Sequence, residues 1–385
     1  MLEVLFWMVL LLLLYPLVFY PVSLLILDRF YIDEAYPVDN CFSPSVSLII
    51  VAYNEEKIIV NKLNNALELD YPKEQLEIII ASDGSVDKTN ELVDRYIDEH
   101  KDYNIKLLDV QGRRGKTHTQ NTAVKSSSGK IIVFSDSNSI WDVRALRFLI
   151  NRFKDEKLGY LSGKLLYINS DTNITSESEN IYWNLDLKLR LIESKVSSTV
   201  GGNGAIYAIR KENYVDLPDL LSHDGFMPTK MVLQGMNAKF EPRAVAYEKA
   251  GETSNDEYKR KVRMQRGQPW KKYYDIEKFN IFKYGWFSYF YIGHKYLKYQ
   301  LYILHIALYF LNVTLSLEFN IYLFILIFHS IFYLLSIIGW VSKSKSKVFF
   351  FPYYYLMTII AQAHAVIVTL SGKSKSTWLK SESTR

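Results

Sequence analysis

Three short stretches of this chain combine carboxylates and amides in a way that can do chemistry. They are Ala52-Tyr53-Asn54-Glu55-Glu56, Asp83-Gly84-Ser85 with Asp87 behind it, and Asp136-Ser137-Asn138. A fourth, Gly112-Arg113-Arg114-Gly115-Lys116, is basic and bracketed by glycines. Asp136 and Asn138 offer the oxygen donors a hard divalent cation prefers, and the basic stretch suits a diphosphate that such an ion would bridge. Taken singly, each acidic stretch also reads as a turn or helix cap, where Asp, Ser and Asn recur, and the basic one as a solvated loop. No G-x-G-x-x-G and no G-x-x-x-x-G-K-[ST] occurs, so a dinucleotide fingerprint and a Walker P-loop are absent. The single cysteine, Cys41, excludes an intramolecular disulfide and a cysteine-based zinc site.

These stretches follow apolar runs. Val46–Ala52, Leu76–Ala81, Ile105–Val110 and Lys130–Ser135 recur about every 25 to 30 residues. Helical patterns lie between them, at Glu55–Leu69 and at Asp87–Glu99, where Leu92, Val93, Tyr96 and Ile97 share one face. Strands alternating with helices predict an α/β domain with a parallel sheet wound on both faces, over Pro44 to Asn280. Ligands of such sheets sit beyond the carboxyl ends of the strands. The three acidic stretches stand at the ends of the first, second and fourth runs.

Of 385 residues, 49% are hydrophobic and 23% charged, which excludes general disorder, and the net charge of +5 does not indicate a nucleic-acid binder. The apolar residues are unevenly spread. Val4–Leu27 carries no formal charge over 24 residues, enough to cross a bilayer. Glu3 precedes it without Lys or Arg and no small-x-small site follows, so it reads as an uncleaved anchor, kinked at Pro16 and Pro21. Leu301–Leu317, Phe319–Ser342 and Val348–Gly372 are also uncharged. The first is short; the last holds Pro352, Gln362 and His364 and reads as cavity-lining or re-entrant. Arg29 and the three lysines of Ser342–Lys347 predict a cytoplasmic middle domain at the plasma membrane. Three full C-terminal spans would then put Lys373, Lys375, Lys380 and Arg385 outside, so either the last segment re-enters or the count is wrong by one. From Lys249 to Lys298 there are 12 Lys and Arg against 5 Asp and Glu, interleaved with aromatics, a pattern suited to interfacial helices on anionic membrane lipids rather than to nucleic acid. Thr377-Trp378-Leu379-Lys380 reads as a further interfacial anchor. The expected organisation is an anchor at 1–30, a catalytic domain at 44–270, interfacial helices at 271–300, membrane segments at 301–372 and a tail at 373–385.

The ordered set Val51-Ala52-Tyr53-Asn54-Glu55, Asp83-Gly84-Ser85, Lys116 with Asn121, and Asp136-x-Asn138 resembles the family 2 glycosyltransferases. Gly201-Gly202-Asn203-Gly204-Ala205-Ile206-Tyr207-Ala208-Ile209-Arg210 is similar to the family's acceptor-side glycine segment, His223-Asp224-Gly225-Phe226 to its acidic pair, and Glu241 to Glu248 to its closing strand. The flanking apolar segments resemble the membrane-embedded branch, which includes cellulose, hyaluronan and poly-N-acetylglucosamine synthases. The resemblance covers roughly residues 45–270.

It implies a GT-A fold and inverting transfer from a nucleotide-sugar, usually a UDP-sugar, to a glycan or lipid-linked acceptor in polysaccharide or envelope biosynthesis. By motif, Ala52, Tyr53, Glu55 and Asp83 would hold the nucleoside, with Lys116 and Asp136 also on the donor. Asp136 and Asn138 would hold Mg²⁺ or Mn²⁺, and Asp224 would deprotonate the acceptor hydroxyl. Gly201, Gly202, Asn203, Gln265, Arg266 and Trp270 would line the acceptor side. The chain departs from the family at Asp136-x-Asn138 in place of Asp-x-Asp, at His223-Asp224 in place of an acidic pair, and at Gln265-Arg266-Gly267-Gln268-Pro269-Trp270 in place of Gln-x-x-Arg-Trp. The Asn138 and His223 departures motivate a competing reading, a catalytically weak nucleotide-sugar-binding subunit working with other subunits of a secretion assembly. A nucleotidyltransferase would share a similar donor site.

Overall fold

The computed structural model describes residues 1–32, 36–168, 174–249, 254–265, 275–343 and 346–377, with the side chains of all but 174–182 and 254. Eight strands form one sheet: β1 (Val46–Ala52), β2 (Leu76–Ser82), β3 (Asn104–Asp109), β4 (Ile131–Asp136), β5 (Ile140–Trp141), β6 (Leu158–Tyr167), β7 (Ile206–Arg210) and β8 (Asn237–Glu248). Their order is β3-β2-β1-β4-β7-β6-β8-β5. The first four strands in space are parallel, as expected. The remainder is mixed, because β7 runs antiparallel to both β4 and β6, and β5 antiparallel to β8.

β1 and β2 are buried along their whole length, which is why they read as mostly apolar runs, with only Ser47, Glu77 and Ser82 polar, rather than as alternation. The pleat nevertheless sorts their side chains. Leu48, Ile50, Ile78, Ile80 and Val133 face a core completed by α3 (Ile59–Leu67), α4 (Thr89–Glu99) and α6 (Ala145–Arg152). Ile49, Val51, Ile79, Ile132 and Phe134 face the other side, onto α5 (Lys116–Ser126) and α8 (His223–Leu233). Tyr20, Leu24, Phe287 and Phe290 join that second core, so one face of the sheet packs directly against the segments that lead to the membrane helices. Each fully buried Ile, Leu or Phe contributes about 1.5–3 kcal/mol, which makes this a firm attachment.

The N-terminal apolar segment is α1 (Leu2–Leu14) and α2 (Tyr20–Leu27), joined by a π-turn at Tyr15–Phe19 that contains Pro16. Proline lacks the N–H an α-helix would use there, so the interruption expected from the prolines takes this form. After α7 (Ile174–Val196) and α9 (Ser254–Gln265), the described part of the segment expected to hold interfacial helices is a series of short helical pieces over 276–300. Three longer helices follow: α10 (Leu301–Ser316), α11 (Asn320–Ser342) and α12 (Lys347–Leu370). Leu2–Leu27, α11 and α12 are long and apolar enough to cross a membrane. α10 and α11 form an antiparallel hairpin, with Tyr309 against Ser330 (3.3 Å) and His305 against Tyr333 (3.0 Å). Its tip meets the start of α1, where Tyr322 donates to Glu3 at 3.0 Å.

α12 also packs against the sheet domain. It lies along α9: Val262 packs on Ala361 and Ala365, and Tyr258 bonds His364 at 2.8 Å. Its end is returned to the sheet domain, where Ser376 donates to the Arg114 carbonyl oxygen at 2.7 Å. The described chain beyond α12 therefore lies against the sheet domain. Trp378 to Lys380 lie outside the described residues.

Candidate active site

The loops at the carboxyl ends of β1 and β2 are zipped together. The Asp83 amide donates to the Ala52 carbonyl (2.9 Å), the Asn54 amide to Ser85 Oγ (3.1 Å) and the Val86 amide to Asn54 Oδ1 (2.8 Å). Ala52 and Glu55 are buried, and Tyr53 lies under the Arg113 guanidinium, 3.9 Å from its ring centre. Asp87 closes a turn just before α4, accepting from the Thr89 amide at 3.0 Å, so here the turn reading holds.

Asp83 is fully buried, and its carboxylate organises the basic loop. It accepts from the Arg114 amide (2.8 Å), the Gly115 amide (3.1 Å) and Thr119 Oγ1 (3.0 Å). Gly115 has φ +104°, open to glycine and disfavoured for other residues, and it starts α5. A Cβ there would also stand 2.6 Å from the Ser376 carbonyl oxygen, so the chain beyond α12 covers this loop.

Lys116, first residue of α5, places its ammonium on the carboxylate of Asp136 at the end of β4. Both side chains are 30% exposed, so the pair faces an open crevice. Gly204 borders it: a Cβ there would lie 2.9 Å from Lys116 Nζ and 3.2 Å from Asp136 Oδ2. Asn138 is half-buried two residues on. Beside them stand two groups that the sequence reading did not single out. Glu248, at the end of β8, is hydrogen-bonded by Ser139, and burial followed by the Asp136 charge raises its pKa. Lys62 of α3 is buried, donates to the Ser139 carbonyl at 2.6 Å, and is pushed down to about 7 by burial, against the pull of Asp136 and Glu248.

The acceptor-side segment divides into residues that face the crevice and residues that build it. Asn203 is buried, with its amide spent on the Gly163 carbonyl (2.7 Å) and on the Ala205 and Ile206 amides (3.1 Å each), so it shapes the turn. Gly201 and Gly202 run beside the start of α8, where the Gly202 amide donates to the Asp224 carbonyl oxygen at 2.9 Å. α8 begins at His223, which puts Asp224 in the first helical turn. His223 turns inward, between Tyr207 (3.1 Å), Tyr214 (3.2 Å) and Asn121 (3.2 Å). Burial and then the Lys116 charge push its imidazole down to about 3, so it is a neutral core group and no substitute for a second carboxylate. Burial, then Tyr160 and the Asp224 charge, raise the Tyr207 pKa and Asp136 adds to it, so both carboxylates lie within electrostatic reach of one buried side chain. Gln265 ends α9; Arg266 and Trp270 lie outside the described residues.

Behind the glycine segment lies a buried ionic network with no forewarning in local sequence. Glu193 of α7 accepts from Tyr20 (2.6 Å), His294 (2.6 Å) and the Val200 amide (3.3 Å). His294 also bonds Asp186 at 2.9 Å, and Arg190 bonds the same carboxylate at 2.6 Å. The Glu193 and Asp186 charges raise the His294 pKa despite its burial.

Residues 47–216 match the profile described as Glycosyl transferase family 2. Over this span the chain is similar to the family 2 glycosyltransferases. Poly-β-1,6-N-acetyl-D-glucosamine synthase of Staphylococcus aureus is 30% identical over 228 residues, covering 58% of this chain and 54% of the relative. The synthase of the same name from Staphylococcus epidermidis is 28% identical over 229 residues, with the same coverage. The chain thus spans about half the length of the curated relatives it matches. Among solved structures, the mannosyltransferase PcManGT from Pyrobaculum calidifontis, in complex with GDP-Man and Mn²⁺, superposes with a TM-score of 0.69 at 19% identity, covering 97% of this chain and all of that one. The glycosyltransferase domain has the GT-A fold, and the likeness extends over its flanking helices.

Proposed function

We propose that this protein is a membrane-embedded inverting glycosyltransferase. It moves a sugar from a nucleotide-sugar, of the UDP-sugar class, to a glycan or lipid-linked acceptor in polysaccharide or envelope biosynthesis. The observation that carries this reading is the crevice at Gly204, with the Lys116–Asp136 pair on one wall and the Gly202–Asp224 junction on the other. A single displacement needs those two walls. The acceptor oxygen attacks the anomeric carbon as the bond to the diphosphate breaks, and the acceptor proton passes to the Asp224 carboxylate.

Asp136 and Asn138 offer oxygen donors only, and no cluster of three His, Cys, Asp or Glu suited to a metal occurs among the described residues. That donor set fits Mg²⁺ or Mn²⁺ shared with the donor's diphosphate, which would complete the coordination. Charge neutralisation on the leaving diphosphate is the chemistry such an ion supplies. Lys116 adds a cation on the same wall, and Asp83 holds the basic loop in register with it. The GDP-Man and Mn²⁺ of the Pyrobaculum enzyme support a nucleotide-sugar and a divalent ion of this kind.

The sheet domain is assigned to the cytoplasm, where nucleotide-sugars are made; exposed Cys41, just after the first apolar segment, should then resist an impermeant thiol reagent in intact cells and react after lysis. The test of function is nucleoside diphosphate release by detergent-purified protein across a panel of nucleotide-sugars. Turnover of one or two donors supports transfer. Tight donor binding without turnover favours the binding-subunit reading.

A further inference from the structure

Lys295 lies in the π-turn Tyr291–Tyr296, among the basic and aromatic residues that precede α10. Its neighbours in sequence are committed elsewhere: His294 and Lys298 both pair with Asp186. Lys295 instead reaches under the acceptor side of the crevice. Its ammonium donates to the Gly225 carbonyl oxygen. Its Cε and Nζ lie 3.3 and 3.4 Å from the position of a Cβ on Gly201. One side chain from the membrane-proximal turn therefore touches both segments that meet at the Gly202–Asp224 hydrogen bond, and it forms no ion pair within 4.0 Å among the described residues. The charged groups facing it are Arg190 and Glu193 from α7, Asp224 from α8 and Lys278 from the 276–279 turn, with His294 adjacent on its own turn.

We propose that Lys295 is a positioning residue for the transfer reaction: its ammonium clamps the Asp224–Gly225 turn against Gly201–Gly202. The inference rests on Asp224 as the base. It ties the catalytic loop to the membrane-proximal turn, so seating of that turn sets the geometry on the acceptor side. Burial and then the Arg190 charge bring the Lys295 amine down to about 7, while Asp224 and Glu193 oppose them. The clamp is charged below that pH and is lost as pH rises through it.

The test uses full-length protein in detergent, with Lys295→Met, Lys295→Arg and Asp224→Asn measured together. Lys295→Met should lower kcat roughly ten- to a hundredfold through misplacement of the base. Donor KM should stay within about twofold, since the donor wall is untouched. The wild-type loss of rate above about pH 7 should vanish in Lys295→Arg, whose guanidinium stays protonated, and this variant should recover part of the lost rate. A Lys295→Met enzyme within about threefold of wild type overturns the inference, as does an unchanged alkaline limb in Lys295→Arg. If Lys295→Met does not give a cooperative melt, the Lys295→Arg profile decides. An inactive Asp224→Asn beside a fully active Lys295→Met defeats this inference alone, whereas full activity in Asp224→Asn defeats the base assignment and this inference with it.

Discussion

Gly202→Ala probes the acceptor-side floor in a way that the packing makes quantitative. A Cβ on Gly202 would stand 1.9 Å from Tyr160 Oη, 3.0 Å from its Cζ and 3.1 Å from Ser162 Cβ. Tyr160 is fully buried and stacked on Tyr207 at 5.7 Å between ring centres, so it has no room to swing away. Overpacking of this kind costs about 1–3 kcal/mol. The Tyr160 hydroxyl has no hydrogen-bond partner among the described residues. Tyr160→Phe therefore removes an unpaired buried polar group and should be neutral or stabilising by about 1 kcal/mol. In Gly202→Ala/Tyr160→Phe the 1.9 Å contact is gone and the nearest remaining approach is 3.0 Å, so the pair should be less damaging than the sum of the two changes by at least about 1 kcal/mol. The assay is thermal unfolding of purified protein at fixed detergent, where about 1 kcal/mol moves Tm by roughly 2–4 °C for a domain of this size. Additivity of the two changes within about 0.5 kcal/mol would refute the reasoning, as would a silent Gly202→Ala.

Asp224→Asn should leave stability within about 0.5 kcal/mol, because the bond from Gly202 uses the main-chain oxygen, while turnover falls roughly 10²–10⁴. Turnover within about threefold of wild type would end the assignment of Asp224 as the base. Chelation should abolish donor turnover and Mn²⁺ or Mg²⁺ should restore it; Asn138→Asp should keep or tighten metal binding by adding a charge, and Asp136→Ala should be inactive. Full activity in chelator would exclude this metal site. His223 supplies a pH dependence of stability. Its folded pKa, about 3, lies below the unfolded value of about 6.5, so the unfolded chain takes up the proton first as pH falls. The contribution is complete above about 6.5 and is lost toward about 3, at about 1.4 kcal/mol per pH unit. His223→Gln should flatten that slope in denaturant melts at pH 7.5 and 5.5; an unchanged slope would show that other groups carry it.

Local pattern was sufficient for the parallel half of the sheet. A mostly apolar run such as Val46–Ala52 is compatible with few environments other than a strand covered on both faces. Parallel order then brings the ends of β1, β2 and β4 to one edge, so the residues after Ala52, Asp83 and Asp136 were bound to be neighbours. The apolar helices were legible for the same reason, since length and composition are local quantities. The role of each side chain within the crevice was not. Asp83 and Asn203 are polar residues in turns by type, and only the amides they meet reveal that both are spent inside the fold; the Asp83 partners Arg114 and Gly115 are 31 and 32 residues away. His223 looked like a replaced acid until three polar groups closed around its ring. Lys295 counted among membrane-facing charges, yet it meets a carbonyl 70 residues distant beside the candidate base. The apolar stretch of α12 allows a span by composition, and its packing on α9 decided where it leads. Sequence by itself determined which segments form the four parallel strands, which are apolar helices, and which chemical groups stand at those strand ends. Tertiary structure alone decided which of those groups are free to work, because a side chain's charge state and direction are set by neighbours that chain periodicity does not encode.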